Sequence, residues 1–192
     1  MRQTDQVTGP ASVELLLDST SEALVRADWE ALEAEGLSSL AAHRASSNRP
    51  HITVVAGTTD AATEALAGAA IAVPFAVTLG PPILFGVGQR RVLARSVVPS
   101  AELLSLHAAV HEQAVHEQAV HEQAVHEQLG AATDSEPRLR PGNWVPHVTL
   151  ARRIRLDDLA KALDLLGDDI TGQVVGVRRW NSETREITML TS

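Results

Sequence analysis

Two short segments of the chain each set an imidazole two residues from a hydroxyl. The first is RPHITVV, Arg49 to Val55, with His51 and Thr53; the second is PHVTLAR, Pro146 to Arg152, with His147 and Thr149. Successive side chains on a strand point to opposite faces, so His51 and Thr53 look one way while Ile52 and Val54 look the other. His147 and Thr149 are separated from Val148 and Leu150 in the same way. A lone His-x-Thr on a strand is ordinarily a packed or solvated histidine. Here both copies follow proline, both run on in aliphatic residues, and they sit in opposite halves of the chain. Side by side, the two strands would turn two imidazoles and two hydroxyls toward one cavity.

Such a cavity suits phosphodiester cleavage by general acid–base chemistry. With an ordinary pKa near ~6.5, one imidazole can take a proton from a nucleophile while the other gives one to the leaving oxygen. The threonine hydroxyls would donate to non-bridging phosphate oxygens and stabilise the charge that builds there. This chemistry needs neither metal nor cofactor, and no carboxylate cluster adjoins either motif. On a regular strand Arg153 shares the face of His147 and Thr149 and Arg152 points away; either could meet a phosphate. For a base to stack on, the chain offers Trp144, Trp180, Phe75 and Phe85, with Trp29 assigned to packing inside a helix. Trp144, three positions before His147, is the first of these candidates. His43 and His107 have no motif around them.

The elements that must position these residues follow from pattern and punctuation. VELLLD, Val13 to Asp18, reads as a buried strand, and Ser19, Thr20 and Ser21 as N-cap candidates for a helix with Leu24, Ala27, Ala31 and Ala34 at helical spacing, closed by Gly36. HITVVAG is a strand and Asp60 to Ala70 a helix. VPFAVTLG, PILFGVG and RRVLARSVV read as three strands divided by Gly80, Pro81, Pro82, Gly86 and Gly88. A helix opens at Pro99 and Ser100, residues 130–143 form a loop, WVPHVTLAR is a strand and Leu156 to Leu166 a helix. GQVVGVRRW and REITML flank NSET as a closing hairpin. This order predicts an α+β fold with mostly antiparallel sheet.

AVHEQ is written four times from Ala109 to Gln128. Its composition suits a helix, yet five residues advance ~140° around an α-helix, so no letter of the repeat keeps to one face. A solvated helix over 109–128 is the expectation, with self-association as a further possibility. His111, His116, His121 and His126 invite a metal, but ligands on a helix must share a face and these are five apart.

The chain of 192 residues fits a single domain, 1–192. Its formal charge of −8 argues against a sequence-independent grip on duplex nucleic acid, which needs many cations on phosphates. A small nucleotide or an RNA 3' end remains open as partner. There is no cysteine for a disulfide or a thiolate metal site. The opening residues lack a basic stretch followed by an apolar one, and no apolar run reaches ~18 residues, so a cytoplasmic protein without membrane spans is expected.

The pair PHITVV and PHVTLAR resembles the two-histidine phosphoesterase superfamily, which includes bacterial 2'-5' RNA ligase-like proteins, RNA 2',3'-cyclic phosphodiesterases and plant cyclic-nucleotide phosphodiesterases. The likeness spans roughly residues 11 to 191, and the AVHEQ expansion is outside the family pattern. The resemblance implies a bilobal fold with pseudo-two-fold symmetry and one HxT strand from each lobe facing a central cleft. It implies His51 and His147 as the acid–base pair and Thr53 and Thr149 as phosphate-binding hydroxyls; Arg153 and Trp144 stay possible substrate contacts, against a solvated strand end and lobe packing respectively. It also implies hydrolysis of a 2',3'-cyclic phosphate, with 2'-5' ligation as its reverse in some relatives. Two other classes of function stand beside it: a module that binds a nucleotide or RNA end without turnover, and a scaffold assembled through residues 109–128.

Overall fold

The computed structural model of the chain describes residues 11–58, 73–125 and 137–191, with the side chains of 58, 115–125 and 137 outside that description. The expected helix at 60–70 and the end of the repeat, with His126, lie outside the described residues. In chain order the elements are β1 (Ala11–Leu17), α1 (Ser19–Ala34), β2 (His51–Thr58), β3 (Phe75–Phe85), β4 (Arg90–Val97), α2 (Ala101–Val125), β5 (His147–Arg155), α3 (Leu159–Asp164), β6 (Ile170–Asn181) and β7 (Ile187–Met189). Single 3-10 turns stand at Leu40–Ala42, Pro137–Leu139 and Leu156–Asp158.

Every strand pairing is antiparallel, as the element order predicts. The strands run β1-β2-β5-β4-β3-β6-β7, and β6 also pairs with β1, so the first six strands in this order close a circuit. β6 makes this possible by its length: Ile170 to Val174 pair with β3, and Val174 to Asn181 pair with β1. At the opposite point of the circuit β2 meets β5 at one register pair, Ile52 against Val148. The core lies under this sheet, where Val13, Leu15, Val54, Leu93, Leu150 and Val177 are wholly buried.

α1 packs on the sheet through Val25, Trp29 and Leu32, not through the Leu24, Ala27, Ala31 and Ala34 stripe that spacing suggests; Leu24 is exposed. The helix turns because polar anchors decide its face. Asp28 and Arg95 of β4 are both buried and joined at 2.6 Å, and Arg95 also donates to the Gly167 carbonyl at 2.8 Å. The N-cap is Asp18, one residue before the predicted serine and threonine candidates. It accepts from the Thr20 and Ser21 amides at 3.0 Å and, through its other oxygen, from the Gln173 amide of β6 at 2.7 Å. This seats the helix start so close to β6 that a Cβ on Gly172 would stand 1.7 Å from Ser21 Oγ. At the far end Gly36, with φ 71°, closes α1 as expected, its amide bonding Glu33 and that of Leu37 bonding Leu32.

The two expected strands on either side of Gly80 form one, β3. Pairing with β6 ends at Leu79 and the β4 ladder shifts register between Leu79 and Pro82, so Pro81 falls in the break and Pro82 resumes the ladder opposite Arg95. Removing one partner of the Asp28–Arg95 pair leaves the other charged and buried. Asp28→Ala is expected to lower stability by ~3–5 kcal/mol, with part of the loss recovered in Asp28→Ala/Arg95→Met, as read from urea unfolding.

Candidate active site

The Ile52–Val148 pair is the hinge on which the two motifs face each other. Both side chains are fully buried, so the residues on either side of each, His51, Thr53, His147 and Thr149, turn to the opposite face, where all four are half-buried. Antiparallel continuation of the register places His51 opposite Thr149 and Thr53 opposite His147. The four residues expected to converge are therefore brought together.

Each ring is fixed in the same way. His51 Nδ1 lies 2.7 Å from the carbonyl of Arg49, and His147 Nδ1 lies 2.7 Å from the carbonyl of Val145. A carbonyl only accepts, so Nδ1 carries a proton in each ring and Nε2 is left to gain or lose one. The prolines serve this geometry: Pro50 and Pro146 stand between each histidine and the carbonyl it bonds. The backbone behind the threonines is held symmetrically too. Trp29 Nε1 donates to the Thr149 carbonyl and Trp144 Nε1 to the Thr53 carbonyl, both at 3.0 Å.

What stands around the two Nε2 atoms differs. Phe85 packs on the His147 ring, centroids 4.5 Å apart and tilted by 45°. Burial lowers the His147 pKa below its ordinary value; its bond to the Val145 carbonyl works the other way, and the like charge of His51 lowers it further. Beside His51 stands Glu14 of β1, its Oε1 3.6 Å from Nε2. Glu14 is buried, and its Oε2 takes Arg178 Nε and NH2 at 2.8 Å each while Oε1 takes the Ser12 hydroxyl at 2.8 Å. Arg178 reaches on to the Ser47 carbonyl at 3.0 Å. A cavity of about 430 Å³ opens here, lined by Glu14, His51, Thr53, Arg152, Arg178 and Trp180 among others, with His43 at its edge. His147 and Thr149 lie across the strand pair from it.

Two expected contacts are placed otherwise. Arg153 does not share this site; Arg152 does. The β4–β5 ladder shifts register twice, between Arg91 and Leu93 and between Leu93 and Ala94, and alternation breaks accordingly: Leu150 and Ala151 are both buried, Arg152 and Arg153 both exposed. Trp144 is not an open stacking surface. One face lies flat on the buried His107 ring at 3.9 Å and 7°, and its N–H is spent on Thr53. Trp180, also a candidate, is the indole that lines the cavity. Glu14 and Arg178 were hidden in the sequence inside strands that read as apolar. Their signal was weak but present: Glu14 is the one acid inside β1, and a buried acid calls for a basic partner such as the Arg178–Arg179 pair of β6.

Among the described residues no cluster of three or more His, Cys, Asp or Glu could hold a metal ion. Of the repeat histidines, His111 sits 6.1 Å from His107, ring to ring.

A family model for the 2'-5' RNA ligase superfamily matches residues 21–185. The chain belongs to that superfamily. The match covers most of the length and places the chain among the two-histidine phosphoesterases. Solved structures agree on the fold. Escherichia coli LigT complexed with ATP superposes with TM-score 0.54 and 17% identity, covering 96% of each chain. LigT complexed with NADP+ gives 0.52 and 16%, covering 96% of this chain and 95% of that one. Kluyveromyces marxianus Usb1 with uridine monophosphate gives 0.51 and 11%, covering 96% and 99%. No curated protein matches by sequence. Among the described residues no helix is long and apolar enough to cross a membrane.

Two outcomes follow from this geometry. Trp29→Phe and Trp144→Phe each strip a donor from a threonine carbonyl while keeping an aromatic ring; each is expected to lower unfolding free energy by about 1–3 kcal/mol in urea titrations. The second concerns pH. His107, His111 and His147 are all held below the ordinary histidine pKa, burial being the first cause in each. The unfolded chain therefore binds protons first. Their contribution is intact above the unfolded value of ~6.5 and is lost as pH falls below it, before carboxylates near ~4 begin to titrate. Urea midpoints are expected to fall between pH 7.5 and 5.5, by less in His107→Gln.

Proposed function

We propose that the chain is a phosphoesterase that opens 2',3'-cyclic phosphates, on RNA ends or small nucleotides, through the two histidines and without a metal. The observation that carries this reading is the meeting of the two HxT strands at Ile52 and Val148, with both Nδ1 atoms committed to backbone carbonyls and both Nε2 atoms left for proton transfer.

In this reading a water oxygen attacks phosphorus as its proton passes to one Nε2. The bond from phosphorus to a sugar oxygen breaks, and that oxygen takes the proton held on the other Nε2. A monoester and a free hydroxyl result, and the rings exchange protons with solvent to begin again. Thr53 and Thr149 donate to the non-bridging oxygens, with Arg152 supplying positive charge at the cavity wall. Trp180 offers a ring to the base. Run backward, with a sugar hydroxyl in place of water, the same steps join RNA ends. The nucleotides held by the LigT and Usb1 structures, ATP, NADP+ and uridine monophosphate, support a nucleotide as ligand of this fold. The bilobal, pseudo-two-fold description of the sheet circuit belongs to this reading, the two-fold passing near the Ile52–Val148 pair.

Nucleoside 2',3'-cyclic phosphates incubated with the protein in EDTA are expected to yield monoesters, with turnover falling by about 10²–10⁴ in both His51→Ala and His147→Ala. Equal turnover by all three proteins removes the catalytic assignment. Tight nucleotide binding with no product, retained in both variants, would make the chain a binding module.

A further inference from the structure

The two HxT copies are built alike, down to the 2.7 Å bonds at Nδ1 and the 3.0 Å indole bonds behind the threonines. Sequence symmetry therefore gives no reason for either histidine to be the acid. The reaction needs a reason, because one ring must start protonated and the other neutral.

We propose, resting on the phosphoesterase reading, that Glu14 is a positioning residue that breaks this symmetry: it holds His51 as the general acid and leaves His147 as the general base.

Glu14 is a buried carboxylate, and burial of a charge is costly unless each oxygen is met. Arg178 meets Oε2 with two nitrogens, which already satisfies the structural need on that side. Oε1 carries only the Ser12 hydroxyl and is turned toward His51 Nε2 at 3.6 Å. That separation is too long for a hydrogen bond and lies within ion-pair distance. Nε2 is also the atom freed by the Nδ1 tie, so the carboxylate acts on the proton that the reaction uses. Across the pair, His147 has the apolar ring of Phe85 at 4.5 Å and burial that disfavours its charge. The charged groups that face His51 from the surrounding elements are Glu14 on β1, Arg178 on β6, His147 and Arg152 on β5, and His43 from the loop before β2. Arg178 is bound to Glu14, and Arg49 is turned to Glu22 at 2.5 Å, which leaves Glu14 as the anion nearest the ring.

Water's oxygen bonds to phosphorus and its proton goes to His147 Nε2. The phosphorus–sugar oxygen bond breaks, and the sugar oxygen takes the proton from His51 Nε2. After that loss, Glu14 favours recapture of a proton by His51 from solvent.

The test is the pH profile of kcat/KM on a nucleoside 2',3'-cyclic phosphate for the wild type and Glu14→Gln. The alkaline limb, which reports loss of the acid's proton, is expected to move down by about one pH unit in Glu14→Gln, giving roughly tenfold slower turnover at pH 8 and near-wild-type turnover below the limb. The acid limb stays in place. Uniform slowing at every pH with both limbs unmoved assigns Glu14 a structural role only and overturns the proposal. Because Glu14→Gln leaves Arg178 half-paired, Glu14→Gln/Arg178→Met is measured beside it and is expected to show the same displaced limb. An NMR titration of the His51 ring, assigned with His51→Ala, needs no turnover: a ring that titrates at the same pH in wild type and Glu14→Gln overturns the proposal even if the wild type is inactive, whereas inactivity with a displaced titration would sink the phosphoesterase reading alone.

Discussion

One antiparallel contact, Ile52 against Val148, governs the geometry of this molecule. It is the narrowest link in a circuit of strands whose other ladders run over several residues. A ladder that stops at one pair leaves backbone carbonyls facing the space where the strands part, and a buried carbonyl must find a donor. The indoles of Trp29 and Trp144 fill that need. Each comes from the opposite half of the chain to the threonine carbonyl it binds, so closure of the core and alignment of the motifs are one event. Few aromatics are present in the sequence, and two of its three tryptophans are used here.

Much of this was legible in the residues. The duplicated HxT motif marked which four side chains share a face at the β2–β5 pair, because strand alternation is insensitive to context once Pro and aliphatic neighbours mark the strand. The antiparallel α+β class followed from element order. What escaped was set by long-range pairing. Glu14 sits in VELLLD, and only the fold brings Arg178, 164 positions on, to neutralise it. Arg152 replaced Arg153 because bulges in β5 are dictated by the β4 register, which no local pattern encodes. Asp28 turned α1 away from its alanine stripe through Arg95, 67 residues distant. In each case a charge buried with a remote partner overrode a local periodicity, and single-sequence reading has no access to the partner.

The AVHEQ repeat shows the opposite case, where local arithmetic explains the packing. The buried seam of α2 runs through Leu103, His107, Val110 and Ala114, steps of four, three and four. Val110 is the second letter of one unit and Ala114 the first letter of the next, so the core takes different letters from successive copies, as a five-residue period on a 3.6-residue helix requires. The following positions in the progression, 117 and 118, are Glu and Gln. A seam of this kind draws on a different letter at each step, so identical units cannot repeat it.

The same economy of charge shapes the cleft. A chain with formal charge −8 must gather its cations locally to attract a phosphate, and those around this cavity are not equivalent. Arg178 is neutralised by Glu14 and tied to the Ser47 carbonyl, which makes it a strut between β6 and the loop before β2. Arg152, exposed at the wall, keeps its charge for a ligand. One open guanidinium, two hydroxyls and two imidazoles match the charge of a single phosphoryl group. They do not match the run of phosphates along a duplex, whose binding draws on many cations at once. The proposed preference for a terminal or isolated cyclic phosphate accords with a cavity whose described lining holds two arginines, one of them paired with Glu14.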